Sequence, residues 1–217
     1  VRGRDLASVV SDLRREITKN AHIEPGISVA YSGQFEYLQR ASERLVLVAP
    51  VTLAIIFALL FSIFRRLDEA VLVMASLPFA LTGGIWLVYA LGYDFPVVVA
   101  VGFIALAGLA AEFGVVMLLY LKGALQERID DGVEITPRVV AEAVREGALL
   151  RLRPKAMTVA VILAGLLPIL WTGGTGAEVM RRIAAPLVGG MLSAPLLSLF
   201  VIPAAYLLIR RRGGLRI

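Results

Sequence analysis

The chain has 217 residues, 59% of them hydrophobic and 18% charged, with five Met, no Cys and a formal net charge of +5. That is too apolar for an ordinary soluble domain, where apolar residues including Gly make up roughly 45–50%, so the composition describes a membrane protein. The missing cysteine excludes a disulfide framework, a thiolate metal site and a cysteine nucleophile. The Lys and Arg lie between the apolar runs and beyond the last one, where positive-inside placement accounts for them; no basic-aromatic module points to nucleic acid.

The sequence starts at Val1 with neither an initiator Met nor a signal peptide, and its first residues read as the middle of a domain, so a C-terminal fragment is expected. From Asp5 to Lys19, Leu6, Val9, Val10, Leu13 and Ile17 recur at helical spacing. Glu24-Pro25-Gly26 is a turn, and Ile27, Val29 and Tyr31 alternate as in a half-buried strand. One helix and one strand cannot close a core, so residues 1–34 are expected to be the last piece of an α/β domain. His22, the only histidine, sits beside the surface turn and is expected to be solvated.

Residues 35–217 are expected to form a mainly α, polytopic membrane bundle. A charged helix over Phe35–Arg44 leads into membrane-length runs at about 45–64, 70–91, 95–121, 156–174 and 183–209, about 20 residues being enough to cross a hydrocarbon core of roughly 30 Å. An odd number of spans puts the two ends on opposite sides. Lys122, Arg128, Arg138, Arg145, Arg151, Arg153 and Lys155 between the third and fourth spans, and Arg210, Arg211, Arg212 and Arg216 after the fifth, place both segments in the cytoplasm and the N-terminal piece outside. Within the third-to-fourth connection, Thr136-Pro137 reads as an N-cap and first-turn proline opening a helix over about 137–150, amphipathic enough to lie along the membrane surface. Pro50, Pro78, Pro168, Pro186, Pro195 and Pro203 fall inside spans, where proline marks bends.

The third span carries one carboxylate, Glu112, well inside its apolar run. Insertion scales put an acid at the centre of a membrane helix at roughly 2.5–3.5 kcal/mol unfavourable, so such groups face a bundle interior, a partner or water. Gly102, Ala105, Gly108, Ala111 and Gly114 around it are small and let neighbouring helices approach. Glu112 is therefore expected to point inward, either as a functional acid or as a structural one satisfied by a hydroxyl or backbone group. Lys155 opens the next span and could reach it as an ion-pair partner, or snorkel to the headgroups. Burial favours an acid's neutral form and a nearby ammonium its charged form, so helix movements that join or separate the pair would change proton occupancy. Thr158, one turn further in, could relay a proton or bond back to its own helix.

Met180 stands in Glu178-Val179-Met180 at the outer mouth of the fifth span, where its thioether could be a soft ligand for Cu(I) or Ag(I) or simply pack. Enzyme readings find no support: His-Glu-x-x-His, Gly-x-Ser-x-Gly and Gly-Lys-Ser/Thr are all absent, and a lone intramembrane acid does not make an aspartic pair. No resident cofactor is implied.

Five stretches bring a family into view: Gly102–Gly108, Ala111–Met117, Arg153–Val161, Ile183–Pro186 and Ala194–Leu199. Together with Val1–Asp5 and Tyr31–Glu36 they resemble the C-terminal part of a heavy-metal efflux permease of the resistance-nodulation-division superfamily, in its copper/silver-exporting, CusA-type branch. The resemblance implies a homotrimeric inner-membrane proton antiporter working with a periplasmic adaptor and an outer-membrane channel, with residues 1–34 belonging to the periplasmic porter domain. It implies further that Glu112, Lys155 and Thr158 match the proton relay of this half, and that Met180 matches one member of a methionine path for Cu(I)/Ag(I). Export of divalent metals or organic compounds on the same fold, and a non-transporting membrane assembly module, remain as alternatives.

Overall fold

A computed structural model of the chain describes residues 6–20, 29, 34–93, 95, 97–174 and 176–212. The helices in chain order are α1 (Leu6–Asn20), α2 (Gln34–Phe64), α3 (Leu67–Ala90), α4 (Val97–Asp130), α5 (Pro137–Trp171) and α6 (Ala177–Arg212). Among the described residues five, α2 to α6, are long and apolar enough to cross a membrane, the number expected from the apolar runs. There is no strand among the described residues. The strand expected around Ile27, Val29 and Tyr31 lies outside them except for Val29, which is in no regular element; His22 lies outside them too. Of the expected α/β piece, only the helix is found.

Local chemistry sets the ends of the helices. The α2–α3 connection is only Arg65-Arg66, and Arg65 turns the chain at φ 57° while its N–H closes back on the Phe61 carbonyl at 2.8 Å. Asp68 and Glu69 then sit in the first turn of α3, where the helix dipole favours negative charge. Helix α4 ends in a Schellman motif: Gly132 takes φ 71°, its N–H bonds the Ile129 carbonyl, and the Val133 N–H bonds that of Arg128. Thr136 caps α5 as the sequence suggests, its hydroxyl oxygen accepting the Val139 N–H at 3.3 Å with Pro137 following.

Helix α5 corrects one expectation. The surface helix over 137–150 and the span over 156–174 are a single helix of 35 residues, about 52 Å long at 1.5 Å per residue. The basic run Arg151–Lys155 reads as a break in hydropathy, but charge does not interrupt helical hydrogen bonding, and Pro154 is accommodated inside the helix. Its first turns extend beyond what a roughly 30 Å hydrocarbon core requires.

Helices α3, α4 and α6 form the middle of the bundle. At the α3–α6 crossing the backbones meet: a Cβ on Gly83 would strike the Gly189 carbonyl, one on Gly189 the Gly83 carbonyl, and one on Gly84 would lie 2.8 Å from the Pro186 carbonyl. Small residues are what permit such close approach in a bundle where lipid is as apolar as the side chains. Ser193 on α6 adds a hydrogen bond to the Ala80 carbonyl of α3 at 3.0 Å. Val73, Leu106, Met117, Leu118, Leu121, Met191 and Ile202 of these three helices are fully buried, several of them in a core that α2 and α5 complete. Helix α5 packs on α4 and α6, with Gly147 against the Tyr120 backbone of α4, and α2 lies outermost against α3 and α4.

Candidate functional site

Lys155 is the most informative side chain. It is only 2% exposed, on the face of α5 turned into the bundle. Its Nζ donates to Ser198 Oγ of α6 and lies 5.2 Å from the centre of the Phe113 ring of α4. Ser198 Oγ in turn donates its single proton to the Pro195 carbonyl at 2.9 Å, leaving the oxygen's lone pairs for the ammonium. No carboxylate pairs with Lys155 among the described residues. A cation removed from water is therefore held by a neutral hydroxyl and the negative face of an aromatic ring. The snorkelling alternative for this lysine does not describe what is observed.

Glu112 lies one residue before Phe113, hence about 100° round α4, and it is exposed. Val101, Ala105, Gly108 and Leu119 share that open face, and nothing lies within 4 Å of a Cβ placed on Gly108. The expectation that this chain's own bundle encloses Glu112 is thus corrected. The small residues divide between two faces: Gly102 and Gly114 meet Ile183 and Val73, whereas Ala105 and Gly108 stay on the open side with the acid. Sequence spacing places small residues around Glu112 but does not say which helix fills each side. Glu112 and Lys155 are not paired.

Thr158 is exposed on α5 and its hydroxyl donates to the Pro154 carbonyl at 3.1 Å, the back-bonded arrangement. Met180 is 54% exposed in the first turn of α6, beyond a connection in which Gly174 and Gly176 take φ values of 124° and 86°. Arg181 ties that turn to the end of α5 by donating from Nε to the Thr172 carbonyl at 2.8 Å. No group of three or more His, Cys, Asp or Glu is placed to hold a metal ion among the described residues.

Sequence reasoning missed Ser198 and Phe113 as the lysine's partners, and it missed a second buried ionic group. Glu69 is 2% exposed at the start of α3; Lys122 of α4 donates to its Oε2 at 2.7 Å, and Arg210 of α6 comes within 3.6 Å of Oε1. The available signal was Glu69's position against Ala70, where an apolar run begins with its charge already inside the fold.

An ionisable side chain buried in a bundle of membrane-length helices is a feature of the ion and proton pathways of membrane transporters. The chain belongs to the AcrB/AcrD/AcrF family, which it matches over residues 1–210, a family of efflux transporters rather than enzymes. It is 57% identical over 210 residues to the cation efflux system protein CusA of Escherichia coli K12, covering 96% of this chain and 20% of that protein. It is 41% identical over 212 residues to the cobalt-zinc-cadmium resistance protein CzcA of Cupriavidus metallidurans, covering 98% of this chain and 19% of that one. The crystal structure of a heavy metal efflux pump superposes with a TM-score of 0.77 at 36% identity, over 97% of this chain and 20% of the pump. The chain thus spans about a fifth of the length of these relatives. The resemblance to heavy-metal permeases of the resistance-nodulation-division superfamily is borne out.

Proposed function

We propose that the chain is the C-terminal part of a proton-driven permease that exports Cu(I) and Ag(I) across the inner membrane and cell envelope by proton antiport. The observation that carries this reading is the buried Lys155 ammonium, held among the described residues by neutral partners alone, with the open-faced Glu112 one residue from Phe113 on α4. An ion with no counterion gives up little when it changes partner. Swinging about 100° round α4, or turning α4 by that angle, exchanges Phe113 for Glu112 beside the ammonium. A proton arriving on Glu112 cancels that attraction and returns the lysine to Ser198, so proton occupancy and helix position become one variable. Thr158 stands one turn further along α5 as the next hydroxyl of the relay.

Soft-metal selectivity is supported by two observations. Met180 presents an accessible thioether, a ligand suited to Cu(I) and Ag(I), at the start of α6. Identity is also higher to CusA than to the cobalt-zinc-cadmium protein. In this reading the permease is a homotrimer working with a periplasmic adaptor and an outer-membrane channel, its N-terminal piece periplasmic and its C-terminus cytoplasmic. The open Glu112 face of α4 receives the rest of the permease.

The test is survival of a pump-deleted bacterium carrying the complete permease, challenged separately with silver, copper, zinc and a lipophilic dye. Protection is expected against silver and copper only, lost in Glu112→Gln and weakened in Met180→Ala at equal membrane abundance. Protection against zinc or dye moves the substrate to another branch. Full protection in Glu112→Gln removes the relay and leaves the carboxylate a structural role.

A further inference from the structure

A cavity of about 250 Å³ opens between the ends of α4 and α6, away from Lys155 and Glu112, lined by Lys122, Leu125, Gln126, Ile129, Tyr206 and Arg210 among others. It is smaller than the roughly 300–1,000 Å³ typical of drug-sized ligand sites, a volume for a headgroup rather than a transported organic molecule. Its depth is set by the sequence: the apolar run of α4 ends at Leu121 and that of α6 at Ile209, and in each helix the next residue is the cation that lines the cavity. Both cations therefore stand at the level where hydrocarbon gives way to headgroups. Lys122 and Arg210 both converge on the single carboxylate of Glu69, and Arg210 also donates from Nε to the Tyr206 hydroxyl at 3.2 Å. Lys122 is 33% exposed and has three N–H donors, of which Glu69 takes one. The Gln126 side chain adds a polar wall, while Leu125 and Ile129 add an apolar one.

We propose that this pocket binds the phosphate of an anionic phospholipid, with Lys122 and Arg210 facing the phosphate and Leu125 and Ile129 against the first carbons of an acyl chain. Basic pockets between membrane helices at the headgroup level recognise such lipids. The bound lipid braces the end of the bundle where α3, α4 and α6 are joined through Glu69. This assignment needs only the membrane setting and is independent of which cation is exported.

The complete permease, reconstituted into nanodiscs of equimolar phosphatidylglycerol and phosphatidylcholine with identical acyl chains, is extracted into mild detergent and its retained lipid weighed by native mass spectrometry. Phosphatidylglycerol is expected to be enriched about fivefold over phosphatidylcholine, the discrimination one basic side chain provides near a membrane surface. Gly123→Leu fills the cavity from a position where an added Cβ meets nothing within 4 Å, and Gln126→Glu adds a negative charge; both leave the Glu69 ion pairs in place. Each is expected to abolish the enrichment at unchanged yield and thermal stability in detergent. Equal retention of the two lipids overturns the proposal, as does enrichment that survives both substitutions. Heat protection by inorganic phosphate alone equal to that by phosphatidylglycerol also overturns it, in favour of a free anion.

Discussion

Replacing Lys155 with Met separates folding from coupling, because the two respond in opposite ways. The substitution keeps the length and most of the volume of the side chain and removes the charge. What is lost is a charge-assisted hydrogen bond to Ser198, worth about 1.5–3 kcal/mol, and a desolvated cation–π contact with Phe113, worth about 2 kcal/mol. What is recovered is the cost of holding an ion away from water without a counterion, an effective penalty of several kcal/mol. The terms nearly cancel, so Lys155→Met is expected to change the unfolding free energy by less than about 2 kcal/mol in either direction. Ser198→Ala, by contrast, leaves the ammonium buried without its hydroxyl and costs about 1–3 kcal/mol. That cost is expected to vanish on a Lys155→Met background, a coupling of similar size in a double-mutant cycle. Denaturant unfolding of the complete permease in detergent reads the stability, and pH-gradient-driven efflux from proteoliposomes reads the coupling. A stable Lys155→Met protein with no efflux is the expected result. Loss of about 4 kcal/mol or more, the range for breaking a matched buried pair, would show that the lysine has a counterion after all, and wild-type efflux would show that its charge plays no part in coupling.

Two further substitutions test the packing. Gly189→Val drives side-chain carbons into the Gly83 carbonyl and Leu87, forcing α3 and α6 apart, and is expected to cost about 3 kcal/mol or more in thermal unfolding; Gly165→Ala, which meets nothing within 4 Å, is expected to gain up to about 1 kcal/mol from helix propensity. Glu69→Ala removes the carboxylate shared by Lys122 and Arg210 and is expected to destabilise by about 3–5 kcal/mol, whereas Lys122→Ala, truncating the more exposed partner, is expected to cost less by the same measurement.

The five spans were legible because hydropathy and length alone identify a membrane helix, and the cap at Thr136-Pro137 because its chemistry is local. The unity of α5 was not legible: Arg151, Arg153 and Lys155 change the hydropathy of the segment without changing its hydrogen bonding. Lys155 itself was half legible. Its position permitted an inward side chain, but its partners Ser198 and Phe113 come from two other helices, at sequence distances no local pattern encodes. The surroundings of Glu112 were not legible for a related reason: a carboxylate flanked by small residues has the same sequence whether its neighbours come from this chain or from outside it. Glu69 was passed over because an acid at the edge of an apolar run normally lies in water.

Glu69 and Lys155 are held differently, which suits one buried ion to a fixed joint and, on the proposed relay, the other to a moving part. Glu69 is approached by opposite charge from two helices, and withdrawing the carboxylate leaves both cations without the partner they share. That arrangement holds α3, α4 and α6 together at one end of the bundle and resists displacement. Among the described residues Lys155 has only neutral partners, and on the proposed relay the Glu112 carboxylate matches the hydrogen bond and ring contact it surrenders on moving. Only such a weakly committed charge can change places in response to one proton, because the free energy delivered by that proton need exceed no more than the small difference between its two resting positions. On the proposed relay, motion therefore falls to the lysine between α4 and α6 and rigidity to the glutamate at their end.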